Sequence, residues 1–119
     1  MSVESAIAQT LKAWPALAGI VIRPDKVEQG DAPPYAVYQK ISGRRVASLA
    51  GDSGLANPTF QFDVYATTRL ASAALRDEVR KAVQANPELG AVHAGEGASF
   101  EVDTKFFRER LDFSLWFYD

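Results

Sequence analysis

The feature that most constrains this chain is strict alternation of large apolar side chains in two separated stretches. Phe60, Phe62 and Val64 alternate with Gln61, Asp63 and Tyr65, and Leu111, Phe113, Leu115 and Phe117 alternate with Asp112, Ser114, Trp116 and Tyr118. Side chains on an extended strand point to opposite faces in turn, so each stretch reads as a strand with one face on a core. Phe107 begins the second apolar series, and Glu101 to Lys105 read as its hairpin partner. A third alternating stretch, Tyr35 to Ser42, puts Tyr35, Val37, Gln39 and Ile41 on one face and Ala36, Tyr38, Lys40 and Ser42 on the other. The β-branched run Ile20 to Ile22, ahead of Pro24, adds a short strand.

Helical spacing occurs twice. Val3, Ile7, Leu11 and Trp14 fall at steps of four and three, with Ser2 as N-cap, and Pro15 ends the pattern. Thr67 or Thr68 caps a second helix in which Leu70, Ala74 or Leu75, Val79 and Val83 form the apolar stripe. Arg69, Arg76, Arg80 and Lys81, partly balanced by Asp77 and Glu78, read as its solvated face, and Asn86-Pro87 closes it. The glycine- and alanine-rich residues 88 to 99 read as a surface loop, with room for a short strand.

The expected fold is α+β: a single domain over residues 1–119, with an antiparallel or mixed sheet of about four to five strands and two helices on one face. A core of that size suits 119 residues, 47% of them hydrophobic and 24% charged. Tyr38, Tyr65, Trp116 and Tyr118 are assigned to the open face of the sheet, where exposed aromatics suggest a partner surface. Residues 43–57 hold three glycines and join two convincing strands. Hairpin loops usually take about 2–5 residues, so this connection reads as a functional insertion, part of it extending the flanking strands as a protruding hairpin.

Several chemistries find little in this inventory. A net charge of −2 gives no field toward nucleic acid or anionic lipid. The absence of cysteine removes disulfides and thiolate chemistry. The acidic start, without an apolar run, predicts no export leader, and no stretch reaches the roughly 20 apolar residues of a membrane span. Gly51-Asp52-Ser53-Gly54 copies the nucleophile tetrapeptide of chymotrypsin-like proteases, but His93 is the one histidine and the chain lacks the two-barrel framework. His93 with Glu96 and Asp103 has no recurring metal-ligand spacing, and Gly95-Glu96-Gly97 lacks the context of a phosphate loop. No catalytic, cofactor or metal residue is assigned, and no enzyme is expected.

Two longer segments carry a family likeness: Pro34-Tyr35-Ala36-Val37-Tyr38-Gln39-Lys40-Ile41-Ser42-Gly43, and Gly54-Leu55-Ala56-Asn57-Pro58-Thr59-Phe60-Gln61-Phe62-Asp63-Val64-Tyr65-Ala66. With the helix around Ala74 to Arg80 and the ending Arg110 to Trp116, they resemble the phage tail-completion, or head–tail joining, family, which is similar to tail terminators. The resemblance implies a structural role: rings formed at the end of the tail tube nearest the head. The implied partners are further copies of the chain, the tail tube protein and head–tail connector proteins, with no membrane and with DNA only passing through a lumen. The implied location is the virion tail or neck, after a stage in the host cytoplasm. Arg44, Arg45, Leu49, Asp52 and Leu55 of the long connection, with Tyr38, Tyr65 and Trp116, form the expected assembly interface. The alternatives are another neck or minor tail position, or a small binding module on the open sheet face.

Overall fold

The computed structural model describes residues 2–48 and 51–118, and for residues 46–48, 51 and 52 the backbone alone. Helix α1 spans Val3–Ala13; the Ser2 hydroxyl accepts the Ser5 amide, which supplies the N-cap its residue type suits. After a 3-10 turn at Pro15–Leu17 come β1 (Val21–Pro24), β2 (Tyr35–Ser42), β3 (Arg45–Ser48), β4 (Gly51–Ala56) and β5 (Thr59–Ala66). Helix α2 (Arg69–Ala85) is capped by Thr68, whose hydroxyl accepts the Ala71 amide, and a second 3-10 turn fills Pro87–Leu89. The chain ends with β6 (Val92–Glu101), β7 (Phe106–Ser114) and β8 (Phe117–Tyr118).

Five strands form a mixed sheet in the order β1-β2-β5-β7-β6, with β1 parallel to β2 and the other pairs antiparallel. Both helices pack on one face. Val3, Ile7, Leu11, Leu75, Val79 and Val83 meet Phe60, Phe62, Val64, Leu111 and Phe113 in one buried cluster, as the α+β reading requires. Trp14 donates its indole N–H to Glu78 at 2.8 Å and Asn86 donates to the Thr10 hydroxyl at 2.9 Å, tying α1 to α2 and the turn behind it.

Three expectations change. Tyr38 is a core residue, 6% exposed. It stands opposite Phe62 in the β2–β5 register, and antiparallel partners share a face, so the phenylalanine that faces the helices takes Tyr38 with it. The outer face of β2 is instead Tyr35, Val37 and Gln39, paired with Tyr65, Asp63 and Gln61. Leu70 is 82% exposed. The buried stripe of α2 runs through Ser72, Leu75, Val79, Ala82 and Val83, and two helical residues turn the side chain by about 200°, so Leu70 faces away from Ser72. Residues 92–101, read as mostly loop, form the longest strand; the true partner of β7 is β6, and Val102 to Lys105 are the turn between them. Small residues with weak strand preference hid a strand that the neighbouring β7 imposes.

The stretch 43–57 is also built. β3 and β4 pair antiparallel, and β4 pairs with β8, giving a three-stranded sheet β3-β4-β8. This sheet repeats the order of the central strands, since β3 continues from β2, β4 leads into β5 and β8 follows β7. The molecule is correspondingly elongated, with extents of 52 × 27 × 25 Å.

Candidate assembly interface

The junction between the two sheets is held by polar contacts to backbone. Asn57 donates through Nδ2 to the Ser114 hydroxyl at 2.8 Å and to the Leu115 carbonyl at 2.7 Å, and its own amide donates to the Arg44 carbonyl at 2.8 Å. Leu115 N–H donates to Pro58 O, and Trp116 N–H to Leu89 O. Gly90 completes the junction: its φ is +51°, and a Cβ there would sit 2.8 Å from the Trp116 carbonyl, so the chain passes only without a side chain.

Four of the eight expected interface residues gather here. Arg44 donates to Asn57 Oδ1 at 3.2 Å and lies 6.0 Å from the centroid of the Trp116 ring. Arg45 is exposed at the start of β3, opposite Ala56. Leu55 pairs with Tyr118, which is 72% exposed, and Trp116 is 38% exposed. Beside them Lys40, Arg44 and Arg45, with Glu4 across from them, line a hollow of about 380 Å³ at the foot of the hairpin. Asp52 belongs to β4, where its backbone faces Ala47, and Leu49 lies outside the described residues.

Tyr65 is elsewhere, on the outer face of the main sheet, its ring tilted against that of Tyr35 with centroids 5.1 Å apart. Burial pushes both phenols above their ordinary pKa, with Glu101 adding to the effect, so both keep their protons at neutral pH. They floor a second hollow, of about 400 Å³, walled by Asp25 to Val27 on one side and Glu101 and Thr104 on the other. Tyr38, Tyr65 and Trp116 thus occupy the core, the outer face and the sheet junction, so the pocket expected of a binding module around those three does not form.

The carboxylates that alternation leaves buried are structural. Asp63, in the outer face, accepts from Arg108 at 2.9 Å and 2.8 Å on Oδ1, and from Gln61 at 2.8 Å on Oδ2. Glu109, on the helix side of β7, is 3% exposed and lies 3.4 Å from Arg69 and 3.6 Å from Arg76. Arg69 also donates to the carbonyls of Ser99 and Arg108 and covers Phe107 at 4.9 Å. These two arginines therefore clamp α2 to the sheet, contrary to their reading as a solvated face. The sequence carried a signal for the clamp: Glu109 interrupts the apolar series of Phe107, Leu111 and Phe113, and an acid in a core register needs a cation within reach.

The catalytic motifs come apart in three dimensions. Ser53 sits in β4, its hydroxyl accepting the Leu55 amide at 3.2 Å. His93 is on β6, edge-on to Phe113 and 3.4 Å from Glu96. Asp103 is at the far end of that strand, in the turn. Among the described residues no three His, Cys, Asp or Glu side chains are placed to hold a metal ion, and no helix is long and apolar enough to cross a membrane. Gly95-Glu96-Gly97 lies within β6, in extended strand and not in a loop that opens a helix.

This architecture defines an α+β protein whose exposed features are strand edges, a projecting small sheet and polar faces. Residues 5–118 match the family described as tail completion protein gp17, and the chain belongs to that family. It is a structural protein of a bacteriophage tail, in a family of tail components and not of enzymes. No curated protein matches the chain.

Proposed function

We propose that this protein completes the tail by closing into a ring of its own copies at the end of the tube nearest the head, with the tube protein below and head–tail connector proteins above. Free copies would wait in the host cytoplasm, and DNA would meet the ring only in passing through its lumen. The observation that carries the reading is the small sheet β3-β4-β8, a projection fastened to the body through Asn57 and Leu115. A projection of that kind suits a heterologous contact, in which one patch meets a different patch on the next subunit until rotation closes the ring. Arg44, Arg45, Leu55 and Trp116 supply the charge and aromatic area for it.

Electron microscopy of particles made without the protein tests the reading. Filled heads separated from tails are expected, and restoring the protein should add a ring of density at the upper end of the tube. Normal joining of heads and tails in its absence would sink the proposal.

A further inference from the structure

The main sheet ends in two unlike edges. β1 has four residues, finishes at Pro24, and is bound to the loop after it through Arg23 and Asp31 at 2.9 Å. β6 has ten residues, and among the described residues no strand lies beyond it. From Gly95 to Glu101 its register with β7 is unbroken. Long edges are commonly protected by lysine, proline or a covering segment. Between Val92 and Thr104 there is no lysine, arginine or proline. Gly95 and Gly97 leave room for Asp112 and Arg110, so that the side chains of β7 lie across the strand: a Cβ at Gly97 would stand 3.2 Å from Arg110 Nη2. At Gly95 and Gly97 the edge presents backbone without side chains of its own.

The small sheet has its outer strand on the other flank. Because β3 continues β2 and β8 follows β7, the order β3-β4-β8 places β3 on the side of β1, away from β6. The charges also differ. Gly43 to Ser48 contains Arg44 and Arg45 and no acid, whereas β6 contains Glu96 and Glu101 and no lysine or arginine, and the turn after it holds Asp103 and, at its far end, Lys105.

We propose that the open edge of β6 is the docking strand for a second copy of this chain, which adds its β3–β4 hairpin there through β3. This rests on the ring reading and specifies its contact. The four residues of β3 span roughly 13 Å at strand rise and fit within the unbroken part of β6. Main-chain hydrogen bonds supply the affinity, and the arginines against Glu101 and Asp103 set the orientation. Donor and acceptor lie on opposite flanks, so every copy gives one hairpin and receives one.

The chain has no cysteine, which makes disulfide trapping in assembled tails a direct test. Arg45→Cys is combined in turn with Ala98→Cys, Ser99→Cys, Phe100→Cys and Glu101→Cys, since a disulfide forms only where Cα atoms approach to about 5.5–6 Å. After oxidation, at least one pair should give a ladder of covalent multiples on a non-reducing gel, and no single variant should. Covalent dimers from a β6 single variant alone would show β6 pairing with β6 and overturn the proposal. Visible rings with no ladder from any pair would overturn the edge contact and leave the ring reading standing. One copy per tail by quantitative mass spectrometry would sink the ring reading itself. Where a cysteine pair lowers the melting temperature of the free chain, Arg45→Glu and Glu101→Arg replace it. Each alone should cut the yield of complete tails by about tenfold or more and the double exchange should restore it; no recovery counts against the contact.

Discussion

The five-stranded sheet and the three-stranded sheet above it are continuous along β2, β5 and β7, yet they are built on different terms. In the lower sheet, Phe60, Phe62, Phe113 and Leu111 are fully buried under two helices. In the upper one, Phe117 is buried where β8 begins, while Ser53 is exposed and Leu55 and Ala56 are half covered. Burial of apolar area, at about 25 cal/mol per Å², sets where the stability lies, and nearly all of it lies below the junction. A region carrying little of the folding free energy can be shaped for a neighbour without endangering the fold.

The largest effect is expected from emptying the lower core. Phe113→Ala should cost about 3–5 kcal/mol of unfolding free energy in urea titrations, because Phe113 packs on Phe62 and His93 and is wholly buried. Next comes the clamp. Glu109→Ala leaves Arg69 and Arg76 beside an apolar wall and should cost about 2 kcal/mol, with faster hydrogen exchange at the start of α2. Asn57→Ala removes three side-chain bonds at the junction, the one from Arg44 exposed, and should cost about 1 kcal/mol while loosening β4 and β8 more than β5 and β7 in hydrogen exchange. If exchange rises equally in both sheets, the junction is not where the two regions divide.

A smaller effect comes from acid. The Trp14 indole N–H holds the Glu78 carboxyl below its ordinary 4.5, and Arg23 with the Glu28 amide holds Asp31 below 3.8. A carboxyl whose pKa is lower folded than unfolded stabilises fully above its unfolded value, and that contribution goes as pH falls through the folded one. Melting temperature should therefore fall below about pH 4.5, and less steeply in Trp14→Phe. The smallest effect on the body should come from deleting residues 44–53, which leaves the helix-covered core intact. That deletion should barely move the melting temperature while abolishing completed tails. A loss of stability as large as that of Phe113→Ala would end the distinction between the regions.

The sequence by itself determined the strands with strong alternation, both helices with the Ser2 cap and a threonine cap at 67 or 68, and the α+β class, because local periodicity and capping chemistry are written in neighbouring residues. It also carried the likeness that family membership over residues 5–118 bears out. Tertiary structure alone decided the rest. Tyr38 has apolar neighbours on both faces of β2, so only the register against Phe62 turned it inward. β6 is glycine- and alanine-rich and became a strand because β7 offered it a ladder. Arg69 and Arg76 looked like solvent residues until Glu109, more than thirty positions away in the chain, drew them onto the sheet. Of the expected interface, Arg44, Arg45, Leu55 and Trp116 come together only because β3, β4 and β8 extend the three central strands past the helices. Such contacts join residues far apart in sequence, and no local pattern encodes which distant partner a side chain will find.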